Sequence, residues 1–235
     1  MKNFTTILEL NFSQDADFTR RCRLSVYEQG CLIVKGLEYG ALGSFIKSFG
    51  SIVPQHDGSD IFDVKPSEDL GRIYYSRTMD AVPPHTDGHD MCAPPRFFLL
   101  FCRQPSANGD GETEVSDSAE FLELLSKQDL DILTSYVFSF ETKPSSAVMK
   151  IEGVRSPIYD LKRDIFRYSY NYLSKQASGS EAAIIVERIK EFHEKRKMAV
   201  VLKKNDLMIC DNHHILHSRA SFSGSDRHLV RAWVN

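Results

Sequence analysis

Arg96-Phe97-Phe98-Leu99-Leu100-Phe101-Cys102 is the stretch on which the reading of the fold turns. It is apolar without a break from Phe97 to Cys102, which suits a strand at the centre of a sheet. Further strand signals lie on both sides of it. Upstream are Cys31-Leu32-Ile33-Val34 and Gly71-Arg72-Ile73-Tyr74-Tyr75-Ser76; downstream are Tyr136 to Glu141, Ala147 to Ile151, Ile165 to Tyr170, Ala199 to Leu202, Leu207 to Cys210 and Leu229 to Val234. Helical signals flank them. Asp15 to Gln29 carries a stripe of Phe18, Cys22, Leu24, Val26 and Tyr27 and stops at Gly30; Tyr39 to Phe49 stops at Gly50. Ser116-Asp117 caps a helix through Phe121, Leu122, Leu124 and Leu125. In Ser180 to Lys197, Ala182, Ile185, Val186, Ile189 and Phe192 fall on one face. Many short strands with a helical flank predict a mainly β chain, a sandwich or jelly roll. With no repeat and no linker, residues 1–235 read as a single domain.

Bulk properties narrow the function. A formal charge of −3 predicts neither nucleic-acid nor anionic-membrane binding. No run of about 18 apolar residues exists to span a bilayer, and the N-terminus lacks a secretory apolar stretch. The five cysteines include no Cys-x-x-Cys; Cys31, Cys102 and Cys210 sit in apolar runs and read as buried thiols, which fits a reducing cytoplasm. Nothing in the sequence fixes the oligomeric state.

The chemistry-bearing segment is Pro83-Pro84-His85-Thr86-Asp87-Gly88. Side chains two apart on an extended segment share a side, so His85 and Asp87 can reach one metal while Thr86 points away. The third ligand must come from elsewhere. Val200-Val201-Leu202 and Leu207-Met208-Ile209 are strand-like and Asp211-Asn212 is turn-like, so His217 is taken as that ligand; His213 and His214 are assigned to the turn or surface. Two imidazoles and one carboxylate make the open three-ligand face used by non-haem Fe(II) oxygenases. An arginine beyond the last ligand suits a dicarboxylate co-substrate, because its fork pairs bidentately.

Four segments in order resemble the Fe(II)/2-oxoglutarate-dependent dioxygenases of the taurine dioxygenase group, including clavaminate-synthase-like enzymes. They are Pro84 to Gly88; Pro94-Pro95-Arg96 with Phe97 to Cys102; Gly109-Asp110-Gly111-Glu112-Thr113; and Asn205-Asp206-Leu207 through Asp211-Asn212 and His217-Ser218-Arg219 to Arg227-x-x-x-Arg231. The resemblance implies a double-stranded β-helix, or jelly roll, with His85, Asp87 and His217 as iron ligands. It implies Arg227 and Thr113 at the distal carboxylate of 2-oxoglutarate. It aligns Arg231 with an arginine that meets an anionic substrate group in several members. Gln55, His56, Tyr75 and Arg77 fall at pocket positions. Arg219 is expected to pair with Asp211. Asn205 stands where the family often has glycine.

The implied reaction uses Fe(II), 2-oxoglutarate and O2 to hydroxylate, desaturate or cyclise at an unactivated C–H bond. Related halogenases lack the carboxylate that Asp87 supplies, so an oxygenase is expected. The expected substrate is a small molecule bearing a carboxylate or derived from an amino acid, free or carrier-tethered, with a place in specialised metabolism. The alternatives are a metal-dependent hydrolase, which gives no reason for Arg227 and Thr113, and a non-catalytic jelly-roll binding module, which would be expected to have lost part of the intact metal triad and keto-acid arginine.

Overall fold

A computed structural model describes residues 6–71, 75–140, 153–174, 176 and 180–235. Two sheets lie face to face. The larger contains β1 (Leu8–Asn11), β2 (Cys31–Lys35), β3 (Ile52–Val53), β4 (Ile61–Val64), β6 (Phe97–Gln104), β13 (Leu207–Asp211) and β15 (His228–Val234). Its order is β1-β2-β13-β6-β15-β3, with β4 also paired to β15. The smaller has the order β12-β7-β14-β5, from β12 (Met198–Val200), β7 (Thr113–Asp117), β14 (Ile215–Arg219) and β5 (Val82–His85). The ladders are antiparallel except β1 with β2. Two small pairs, β8 (Phe138–Phe140) with β9 (Val154–Ser156) and β10 (Tyr159–Asp160) with β11 (Ile165–Phe166), stand apart. The mainly β jelly-roll architecture is the one expected.

The apolar run of β6 is explained by burial on both faces. Phe97, Leu99 and Phe101 meet α1 (Phe18–Gln29) and α2 (Tyr39–Phe49), while Phe98, Leu100 and Cys102 face between the sheets. The period of two then sorts the neighbours. Val115 and Ile215 from the small sheet join Met208, Cys210, Leu229 and Trp233 from the large one in that interior cluster. The outer face of the small sheet presents Leu216 to a third cluster containing Ile185, Val186 and Ile189 of α7 (Glu181–Arg196). The short helices α4 (Ser118–Glu123), α5 (Lys127–Ser135) and α6 (Tyr170–Leu173) contribute Phe121, Leu133 and Leu173 to it.

Local signals and structure mostly agree. Gly30 closes α1 at φ 78°, Asp117 caps α4 through the Ala119 N–H, and Cys31, Cys102 and Cys210 are buried free thiols. Asn205 adopts φ 70°, which explains how it serves where relatives use glycine. Three expectations are corrected. Gly71 ends the helix α3 (Glu68–Gly71), and Tyr75-Ser76 belongs to a 3-10 turn over Tyr75–Arg77; residues 72–74 lie outside the described residues. Ile165 to Tyr170 is a strand only at Ile165–Phe166, since Tyr170 opens α6. Arg219 does not pair with Asp211. Arg96, at the mouth of β6, donates to Asp211 at 2.5 Å, because β6 and β13 are neighbours. The strand read at Ala147 to Ile151 lies outside the described residues.

Candidate metal and co-substrate site

His85 and His217 are direct cross-strand partners on β5 and β14, with ring centroids 4.1 Å apart. The backbone turns sharply after His85. Gly88 takes φ 62°, and a Cβ there would lie 2.6 Å from Pro95 Cδ, so the turn demands glycine. Asn212 clamps this turn. Its Oδ1 accepts from the Asp87 N–H at 2.7 Å, and its Nδ2 donates to the carbonyls of Asp87 and Pro95, each at 2.9 Å. Thr86 does point away: its hydroxyl accepts from the Tyr168 N–H at 3.1 Å.

Asp87 Oδ1 then lies 3.9 Å from His85 Nε2 and 3.8 Å from His217 Nε2. Two ligand atoms each ~2.1 Å from one ion can be up to ~4.2 Å apart, so the carboxylate oxygen can share an ion with either imidazole, and the three donor atoms all lie within 4.8 Å of one another. His85 Nδ1–H donates to the Pro83 carbonyl at 2.9 Å, which leaves Nε2 with a free lone pair facing Asp87. Burial pushes the pKa of both imidazoles down, so both rings are neutral donors. Phe98 stacks on His217 at 4.2 Å and supplies an apolar wall.

The carboxylate is held from behind. Arg231 Nη1 donates to Asp87 Oδ1 at 3.0 Å and Trp233 Nε1 donates to Oδ2 at 2.8 Å. Burial alone would raise the Asp87 pKa. The Arg231 charge and the Trp233 N–H outweigh it and hold the group below the usual carboxylate range. Arg231 also donates through Nε to Gln55 Oε1 at 3.0 Å. Arg231 and Gln55 thus stand behind the metal carboxylate. Arg77 packs over the Phe62 ring at 4.5 Å, and Tyr75 is 53% exposed; neither hydrogen-bonds to the three candidate ligands.

Thr113 and Arg227 line one pocket with Gly111, Val200, Leu202 and Leu229. Thr113 is two residues from Val115, which pairs with His217, so cavity and ligands share the interior face. Arg227 is 5% exposed, yet among the described residues no carboxylate forms an ion pair with it. Burial lowers it to about 10, still a cation at neutral pH. Phe222 supports it: the ring lies 5.1 Å below the Arg227 guanidinium and 5.0 Å from that of Arg219. Arg219 donates to the carbonyls of Ser76, Thr78 and Asp80, tying down the segment that leads into β5. An unpaired buried cation in a cavity is what a dicarboxylate co-substrate would neutralise.

Asn212, Trp233 and Phe98 had escaped the reading of the sequence. Nothing local marks them, because each acts through a residue distant in the chain.

Residues 5–233 match the model of the family described as "Taurine catabolism dioxygenase TauD, TfdA family". A 3-((Z)-2-isocyanoethenyl)-1H-indole synthase from Fischerella ambigua (strain UTEX 1903) is 25% identical over 94% of this chain and 87% of its own. Among solved structures, asparagine oxygenase in complex with Fe(II), 2S,3S-3-hydroxyasparagine and succinate superposes with a TM-score of 0.73 at 16% identity, covering 96% of this chain and 93% of that one. OrfP, a non-haem iron oxygenase in complex with Fe and α-ketoglutaric acid, gives 0.72 at 17%, covering 93% and 79%. PvcB, an Fe, α-ketoglutarate dependent oxygenase from an isonitrile synthetic pathway, gives 0.66 at 20%, covering 92% and 80%.

Proposed function

The chain belongs to the TauD, TfdA family of 2-oxoglutarate-dependent non-haem iron oxygenases, and from that premise we propose that it hydroxylates or desaturates an amino acid or amino-acid derivative in specialised metabolism. The relatives support this substrate class: one is named for an isocyanoethenyl-indole, one is crystallised with a hydroxyasparagine, and one comes from an isonitrile pathway. The substrate is free or tethered to a carrier. Residues 1–235 act as one catalytic domain, and the place of action is the cytoplasm. No helix among the described residues is long and apolar enough to cross a membrane.

In this reading His85, Asp87 and His217 hold the iron, and Arg227 with Thr113 holds the distal carboxylate of 2-oxoglutarate. The observation that carries it is Arg227, a buried guanidinium without a carboxylate partner among the described residues, lining one pocket with Thr113, which lies two residues from the strand partner of His217. When bound, iron with 2-oxoglutarate and O2 supplies the oxidising power, and the keto acid leaves as succinate and CO2. The chain does the rest. The Pro83 carbonyl and Phe98 fix the two imidazoles, and Asn212, Arg231 and Trp233 fix the carboxylate. The apolar interior of Phe98, Leu100 and Leu229 excludes water from the reacting carbon.

The test is succinate release and the anaerobic visible absorbance of the Fe(II) protein. A weak band that needs both Fe(II) and 2-oxoglutarate is expected. In Arg227→Ala the 2-oxoglutarate concentration needed for half the band should rise more than about 100-fold, because truncating one partner of a buried charge pair costs several kcal/mol. An unchanged requirement would move the co-substrate role away from Arg227.

A further inference from the structure

The turn that delivers Asp87 ends three residues later at Asp90, which the chemistry above does not use. Asp90 is 0% exposed, and neither carboxylate oxygen has a hydrogen-bond partner among the described residues. Buried carboxylates are ordinarily paired, so this one stands out. Its surroundings do not satisfy it. His56 Nε2 is 3.5 Å from Oδ1, long for a hydrogen bond. Arg167, itself buried, donates to the carbonyls of His89 at 2.5 Å and Met91 at 2.7 Å. It therefore grips the backbone on either side of Asp90 and forms no hydrogen bond to the carboxylate.

This group is joined to the metal site by a short chain of contacts. Trp233 donates to Asp87, the His56 ring stands edge-on to Trp233 at 5.1 Å, and His56 faces Asp90. Two more unpartnered buried atoms lie on the neighbouring residues. His89 Nδ1–H donates to the Thr86 carbonyl at 3.3 Å, which leaves Nε2 as an unused acceptor. Gln55 Oε1 is taken by Arg231, which leaves the Nε2 amide as an unused donor. The unpaired set is thus two carboxylate oxygens and an imidazole nitrogen that want N–H donors, with one amide that wants an acceptor.

We propose that Asp90 is a specificity-determining residue that receives a cationic nitrogen of the substrate, an ammonium or guanidinium group, beside the metal site. This rests on the oxygenase reading above and narrows it. Of the substrate forms named there, it selects those with a charged nitrogen over those whose nitrogen is masked or lacks N–H. A carboxylate on the same substrate would find the Gln55 amide. A neutral, N-masked substrate would leave Asp90 buried without a hydrogen-bond donor, which disfavours it.

The test begins with the wild-type protein loaded anaerobically with Fe(II) and 2-oxoglutarate. Absence of the visible band would refute the oxygenase reading itself. With the band present, each proteinogenic L-amino acid and its N-formyl derivative is added, and 2-oxoglutarate consumption in air is followed. The expected result is stimulation by one or more free amino acids, with the N-formyl partner at least about 10-fold weaker, the scale of a lost charge-assisted contact. Asp90→Asn should keep the iron–keto acid band and lose the preference. Equal or better stimulation by the N-formyl compounds, or by none of the cationic ones, overturns the proposal, as does an Asp90→Asn protein that keeps the preference. Should that variant fail to fold, the wild-type comparison decides alone.

Discussion

His193 offers a sharp test of how the scaffold holds the metal-binding strand. It lies on α7, is fully buried, and is hydrogen-bonded at both ring nitrogens. Ser218 donates its hydroxyl proton to Glu114 Oε2 at 2.6 Å, so its oxygen must accept from His193 Nε2–H at 2.8 Å. Nδ1 then carries the lone pair and accepts from the Ser116 hydroxyl at 2.7 Å. The network is complete only with a neutral ring, and a second proton at Nδ1 would face a donor. Burial first, with Lys197 and His85 adding to it against Glu194 and Glu114, lowers the pKa to about 4 from an ordinary 6.5. The sign follows from linkage. Between those values the unfolded chain binds the proton and the folded chain does not, so the contribution is complete above pH 6.5 and is lost as the pH falls toward 4. From pH 7 to pH 5 this amounts to about 2 kcal/mol. Urea denaturation of the metal-free protein at pH 7, 6 and 5 should show wild type losing about 2 kcal/mol more than His193→Gln over that range, since glutamine does not titrate. Parallel pH curves for the two proteins would refute the assigned tautomer and its role.

Other outcomes follow from the site. Ala at His85, Asp87 or His217 should abolish 2-oxoglutarate-coupled turnover with the circular dichroism spectrum unchanged; full activity in Asp87→Ala would sink the ligand assignment. Trp233→Phe removes one donor from the metal carboxylate and should weaken Fe(II) binding by about 10- to 100-fold in anaerobic competition with a chelator; wild-type affinity would mean the indole is mere packing. Gly111→Ala places a Cβ 2.9 Å from Phe222 Cβ at φ 75°, so it should lower stability by about 1–3 kcal/mol and raise the 2-oxoglutarate requirement by loosening the ring under Arg227. An unchanged thermal midpoint would show that Phe222 gives way freely.

The parts of the molecule legible in the sequence are those written in local periodicity. The stripe from Ala182 to Phe192 gave α7, and the unbroken run of β6 gave a strand buried on both faces. The spacing of His85 and Asp87 and the strand-like runs that precede His217 gave three candidate ligands whose donor atoms the fold brings within 4.8 Å of one another. What failed was decided by tertiary partners. Tyr75-Ser76 has strand propensity, yet Arg219 takes the carbonyls of Ser76, Thr78 and Asp80 and bends the segment into β5. Helix α5 has few apolar residues and was missed, although its capping box, Ser126 with Asp129, stood in the sequence.

Arg231, expected at the substrate, is likewise defined by its tertiary partners. The resemblance aligns Arg231 with an arginine that meets an anionic substrate group, and sequence alone does not separate that role from a structural ion pair. In the fold its Nη1 is committed to Asp87 and its Nε to Gln55, and the guanidinium packs on Trp233 at 4.7 Å and on Phe62 at 5.3 Å. A second carboxylate there would compete with Asp87 for the same charge and would release a metal ligand from its support. One guanidinium therefore couples the carboxylate to Gln55, and under the proposal above substrate recognition falls to polar atoms left without hydrogen-bond partners. Those are the amide of Gln55 and the carboxylate of Asp90. The order of these residues, Gln55, Asp87, Asp90 and Arg231, carries no signal in the chain. Only the pairing of β5 with β14 and of β4 and β6 with β15 brings their segments together.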